Sequence, residues 1–309
     1  MGFCVNEKGN VFVLLPFNSI IKEREYMEPK KDFSLVNCIA SSLLAYFFTV
    51  PLHEFFHLAT SYAYGDKCSV FSAGAVEPMH LIDYQKLAPF HRIMVAGGSA
   101  SILNVIIGLI LVVILLKKQL KPASRMFLTQ LMGGHLTEGF GYFMFGGLIG
   151  MGDWGNVFAC CEDAPGFVTG MRISLTVLGV LGYLFIFFIL NYLSYSFIKD
   201  PSDEKQRFYT AVRLHLPMFI VPFVMACLVM IPSPMIREGA ITYAETLFWN
   251  MAWIAFFWGF MFTWKMVKPP KKSRWLYDLP KEPLYGFWIA AAAVSLFDLF
   301  VLGPGIKIE

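Results

Sequence analysis

Charge is scarce in this chain. Only 15% of its 309 residues are Asp, Glu, Lys or Arg, against roughly 25% in an ordinary soluble domain. The longest hydrophilic segment is the first 33 residues, so a separate soluble domain finds no room. The net charge is only +3, and no basic patch is present, which argues against a nucleic-acid partner. Six cysteines, at 4, 38, 68, 160, 161 and 227, show no paired metal spacing and exclude a cysteine-built zinc site. A bridge from Cys68 to Cys160 or Cys161 stays open should those loops share an oxidising side. The six histidines are too scattered for a di-iron oxygenase centre. The first ten residues lack the apolar core of a cleavable signal peptide. Asn6 stands where a myristoylation signal has Ser or Thr. No internal repeat is visible.

What remains is apolar. Hydrophobic residues make up 57% and aromatics 17% of the chain, with a mean hydropathy of +0.58. That is the profile of a multi-pass integral membrane protein in a lipid bilayer. The expected fold is all-α: a polytopic transmembrane helical bundle of about seven spans, with a short strand-like loop after the first. The spans fall near 34–63, 93–116, 126–150, 171–198, 208–232, 243–266 and 285–303. Three regions follow: an N-terminal cytoplasmic or interfacial segment at 1–33, a three-span core at 34–160, and a four-span region at 161–309. Val11–Ile21 is too short to span and reads as interfacial or as a strand. Cys68–Val76 has strand content with a glycine break. The third span is rich in glycine, which suits tight packing or local unwinding. Glu245 and Asp298 lie in or near the last two spans and read as snorkelling or paired groups. Lys268–Trp275 is a basic, proline-broken connector.

Seven spans alternate the loops between two sides. Nineteen of the Lys and Arg residues then fall on the side of the N-terminus and six on the other. The positive-inside rule places the N-terminus in the cytoplasm and the C-terminus outside.

Within the first span stands His53-Glu54-Phe55-Phe56-His57. From this composition about 0.005 chance matches to the H-E-x-x-H pattern are expected. On a helix, positions i and i+4 share a face, so both imidazoles can hold one zinc ion. Glu54 then stands beside the open position, where it can take the proton of an attacking water. Pro51, two residues earlier, removes a backbone donor and bends the helix ahead of the motif. A plain structural role for the histidine pair explains neither the glutamate nor the spacing.

Two histidines leave a catalytic zinc site one protein ligand short. Glu77, His80, Asp83 and His91 on the following loop are candidates, as are Glu138 and Asp153. Depth favours Asp153: the first and third spans run in the same direction, and Asp153 lies at the far end of the third. Glu138, about 15–20 Å deeper in a regular helix, is the reserve.

With these residues the chain resembles the site-2 protease family of intramembrane zinc metalloproteases. The resemblance covers roughly 34–160 and rests on His53–His57 in one span and Gly152-Asp153-Trp154-Gly155 two spans later. It implies one Zn2+ per chain held by His53, His57 and Asp153, with Glu54 as general base. It implies a membrane-protein substrate cut within or near its transmembrane segment. It also implies, through Ala96-Gly97-Gly98 and the residues up to Asn104, that Asn104 helps hold the substrate. Where the family has Leu-Asp-Gly this chain has Gly152-Asp153-Trp154, and the family's PDZ insert is absent. The Cys68–Val76 stretch offers strand addition for an unwound substrate. Other readings stay open: a seven-span CAAX-type zinc protease using Glu138, a metal transporter, or a metal-binding protein without catalysis. The sequence leaves the oligomeric state open.

Overall fold

A backbone crossing lipid must satisfy its own hydrogen bonds, so long apolar runs become helices. The computed structural model describes residues 2–5, 11–14, 31–200, 202–237, 239, 242–264, 266–268 and 275–308, and these are mostly helical. The helices are α1 (Ser34–Phe47), α2 (Val50–Ala63), α3 (Ser99–Lys117), α4 (Pro122–Ile149), α5 (Asp153–Ala159), α6 (Pro165–Ser194), α7 (Glu204–Met230), α8 (Tyr243–Thr263) and α9 (Tyr285–Phe297). A short helix at Pro89–Ile93 and a π-helical turn at Met94–Gly98 lead into α3.

Five stretches are long and apolar enough to cross a membrane: Ser34–Ala63, Pro89–Lys117, Pro165–Phe197, Glu204–Met230 and Tyr285–Leu302. The other two expected spans correspond to α4 and α8. Helix α4 has 28 residues, which is ample length at 1.5 Å per residue. It is too rich in glycine and polar groups to stand with the five. Its place explains this: α4 packs against α1, α3, α5, α6 and α7 and is the hub of the bundle. Gly139 lies against Ser101 and Val105 of α3, and Gly147 against Arg172 and Thr176 of α6. A Cβ at either position would come within 3 Å of its neighbours. The glycines therefore serve close packing in a continuous helix.

The first span is not one straight helix. Helix α1 stops at Phe47 and α2 resumes at Val50, with Pro51 in its first turn. Thr49 sits at the break, and its hydroxyl donates to Ala45 O at 2.8 Å. The bend thus falls just ahead of His53.

The strand-like loop is a hairpin. Strands β1 (Gly2–Val5) and β2 (Val11–Leu14) pair near the N-terminus, and Leu15–Ile21 of the expected interfacial segment lies outside the described residues. After α2, β3 (Cys68–Phe71) pairs antiparallel with β4 (Val76–Pro78). On its other edge β3 pairs with β5 (Ile306–Lys307), so the C-terminus closes a three-stranded sheet. Both edges of β3 are therefore taken, which leaves the outer edges of β4 and of the two-residue β5 for strand addition.

Asp66 fastens this hairpin to the end of α2. It is 1% exposed, and its carboxylate accepts from Lys67 N, Leu81 N and Tyr84 Oη at 2.9, 2.9 and 2.7 Å. Burial works against its charge, but the Tyr84 hydroxyl and the two backbone donors outweigh it and hold the carboxyl below the usual range. Cys68, Cys160 and Cys161 are free thiols, so the bridge left open by the sequence is not formed. The side chain of Glu245 and residues 269–274 of the basic connector lie outside the described residues.

Candidate metal centre

His53 and His57 share one face of α2, one turn apart. Asp153, the first residue of α5, meets them from a hundred residues later in the chain. His53 Nε2 lies 2.9 Å from Asp153 Oδ2, His57 Nε2 lies 3.1 Å from the same oxygen, and the two Nε2 atoms are 3.2 Å apart. Ligands at 2.0–2.2 Å around a tetrahedral zinc are about 3.3–3.5 Å apart. The triangle is only slightly tighter than that, and its donors, two imidazole nitrogens and a carboxylate oxygen, are of the kind zinc takes. The residues present fit a divalent transition metal, and the same three form a ligand cluster by proximity alone.

Burial gives the site a direction. The His53 side chain is 1% exposed, while those of His57 and Asp153 are 13% and 18% exposed. The open side of the triangle thus lies toward His57 and Asp153. Burial disfavours the charge of Asp153, but the two imidazoles outweigh this and hold its carboxyl well below the ordinary carboxylate range.

Asp153 reaches the histidines because two glycines let its backbone in. Gly152, which precedes it, has φ 62° and ψ −150°, a conformation essentially confined to glycine. Gly97, in the π-helical turn, has φ 149°; a Cβ there would lie 2.7 Å from Asp153 O and 2.8 Å from Asp153 Cβ. Trp154 then locks α5 in place. It is 3% exposed, its Nε1 donates to Ser101 Oγ at 3.1 Å, and its ring lies against Gly146 and Gly98. The tryptophan that departs from the Leu-Asp-Gly expected from the resemblance is thus the anchor of the carboxylate.

Glu54 is 6% exposed and lies within electrostatic reach of both imidazoles. Its carboxylate accepts no hydrogen bond among the described residues. Asn104 of α3 is fully buried beneath His53. Its amide lies 2.9 Å from His53 Nδ1 on one side and 2.8 Å from His135 Nδ1 on the other. Its side chain is thus directed at His53 rather than at the open side of the triangle.

The other candidates lie elsewhere. Glu138 is within electrostatic reach of His53 but is not one of the three clustered donors. Glu77 accepts from Ser69, Asp83 caps the turn at Tyr84–Lys86, and His80 and His91 rest against Tyr84 and Tyr64. Two residues had no sequence signal. Tyr142 of α4 stacks on His53, with centroids 4.7 Å apart and planes at 25°. His135, on the same helix, completes the contact behind Asn104.

No family model, curated protein or solved structure matches this chain.

Proposed function

We propose that this protein is a zinc-dependent intramembrane peptidase of the site-2 protease type, cutting peptide bonds in or near transmembrane segments of other membrane proteins. The observation that carries the reading is the convergence of His53 Nε2, His57 Nε2 and Asp153 Oδ2 within 2.9–3.2 Å beside a buried Glu54. Two histidines on one helix face with a glutamate directly after the first match hydrolytic zinc chemistry more specifically than a transport or storage site.

His53, His57 and Asp153 would hold one Zn2+ per chain. When bound, the ion polarises a substrate carbonyl and makes water a competent nucleophile near neutral pH. Glu54 takes the proton of the attacking water and delivers it to the departing amine nitrogen. Its lack of a hydrogen-bond partner leaves both carboxylate oxygens free for that task. The break between α1 and α2 sets the orientation of the motif. Asn104 of α3 and Tyr142 of α4 cover the His53 side. A substrate helix must unwind before its carbonyls become available, and the sheet's free edges, of which β4 is the longer, are where an extended segment can add.

In this reading α4 and α8 cross the bilayer with the five apolar stretches, giving seven spans. The charge asymmetry then sets the N-terminus in the cytoplasm.

The test is full-length wild type and Glu54→Gln, each reconstituted with a panel of single-span substrates. Both are expected to hold about one zinc per chain, because Glu54 is not a ligand. Cleavage by Glu54→Gln should fall on the order of 10²–10⁴-fold. Equal cleavage by the two proteins, or zinc uptake by neither, would overturn the proposal.

A further inference from the structure

The Asn104 amide sits between two imidazoles, all three buried to 1% exposure or less. His53 Nδ1, Asn104 and His135 Nδ1 form a chain with links of 2.9 and 2.8 Å. An amide has one end that donates and one that accepts, and the two exchange by a half-turn. The imidazoles at its ends must therefore present opposite characters: one Nδ1 donates to the carbonyl oxygen, and the other accepts from the NH2.

This constraint ties His135 to His53. A His53 that offers the Nε2 lone pair to a metal carries its proton on Nδ1. Nδ1–H then donates to Asn104 Oδ1. The amide nitrogen must donate to His135 Nδ1, and His135 carries its proton on Nε2. The alternative has His53 Nε2–H donating to Asp153 Oδ2, Asn104 Nδ2 donating to His53 Nδ1, and His135 Nδ1–H donating to Asn104 Oδ1. Every group stays neutral in both arrangements apart from Asp153, and only the direction of the chain reverses. A mixed arrangement leaves two donors or two acceptors facing each other in a dry site, which costs about 1–3 kcal/mol per unsatisfied group.

We propose that Asn104 and His135 are positioning residues for His53: an amide–imidazole relay, from α4 through α3 to α2, whose direction selects the His53 tautomer and so sets the affinity for zinc. The relay rests on the metal-site reading above and extends it to two residues outside the three clustered donors. Tyr142, stacked on the same ring, fixes its plane.

The experiment is a zinc-affinity series on the full-length protein in detergent, by competition with a chromophoric chelator. Thermal unfolding is followed alongside. Asn104→Leu and His135→Leu are expected to bind zinc about 10–100-fold more weakly, the usual effect of losing such a partner. Asn104→Asp should restore most of the affinity, because a carboxylate accepts from His53 Nδ1–H whatever His135 does. The further change His135→Leu should then cost little. A merely structural amide would behave in the opposite way, tolerating Leu better than a buried carboxylate. Nitrogen NMR of wild type with 15N-labelled histidine supplies a readout independent of folding in the variants: with zinc bound, His53 Nδ1 should be protonated and His135 Nδ1 unprotonated. Wild type that binds no zinc overturns the metal site and the relay together. Zinc binding at wild-type affinity in both Leu variants, or a protonated His135 Nδ1 in the zinc-bound protein, overturns the relay alone.

Discussion

Gly97→Ala tests whether the geometry that brings Asp153 to the histidines is as tight as the distances indicate. The new Cβ would lie 2.8 Å from Asp153 Cβ and 2.7 Å from Asp153 O. Carbon atoms rest at about 3.5–4.0 Å, so the two backbones must separate by roughly 0.7 Å. The φ of 149° adds strain for any residue with a Cβ, on the order of 1–3 kcal/mol. Metal sites tolerate ligand displacements of about 0.2 Å. A shift of about 0.7 Å along the line to Asp153 therefore opens the donor triangle beyond what one ion can span without distortion. We expect zinc affinity to fall at least tenfold and hydrolysis about 10²-fold, as for other misplacements near 1 Å. The helices should stay formed, because the strain is confined to one turn. Gly170→Ala is the control: it lies in α6 with nothing within 4 Å of a built Cβ, and zinc binding should be unchanged. The assay is chelator competition beside thermal unfolding. Gly97→Ala with wild-type zinc affinity and an unchanged melting temperature would refute the reasoning.

Asp153→Ala should lose zinc while Glu138→Ala keeps it, measured as metal content of the purified chains; the reverse would move the third ligand to Glu138. The hairpin should loosen in acid. The Asp66 carboxyl is held below its unfolded value of 3.8, so its contribution to stability is fully present above that value and lost as the pH falls through the folded one. Hydrogen exchange at the Leu81 amide, compared between about pH 6 and pH 3, should show this, and Asp66→Asn should abolish the dependence. Cysteine labelling from one side of the membrane should mark residues 121 and 160 on opposite sides; labelling of both from the same side would break the seven-span assignment.

The parts of the site that were legible in the sequence are those set by local chain geometry. His53 and His57 share a face because a helix repeats every 3.6 residues, and that periodicity is written in the spacing. Depth in the bilayer ranked Asp153 ahead of Glu138, and the structure brings Asp153, not Glu138, to ligand distance. Contacts made only through space left no such trace. Gly97 makes room for Asp153, Trp154 bonds Ser101 and Tyr142 stacks on His53, each from a distant part of the chain, and no period links them. Trp154, which departs from the Leu-Asp-Gly expected from the resemblance, seats α5 against Gly146 and Ser101. Strand β5, two residues long, offers no alternation to read, so its pairing with β3 surfaced only in the structure.

On the seven-span reading proposed above, helix α4 shows why hydropathy alone ranks membrane helices imperfectly. A span needs apolar side chains where it meets lipid, not wherever it crosses the bilayer. Fifteen of the 28 residues of α4 are buried, among them Thr129, Gln130, His135 and Thr137. Gln130 Nε2 donates to Cys38 O and Leu214 O on two different helices, and His135 joins the chain to His53. The polar groups that lower its hydropathy are thus the ones that tie the bundle together and reach the candidate metal site. Helices α6 and α9, by contrast, expose Ile173, Val177, Leu181, Ile289 and Leu296 along outward faces. The helix that falls short on hydropathy is the one the others surround, and its buried His135 bonds Asn104 behind His53 of the motif on α2.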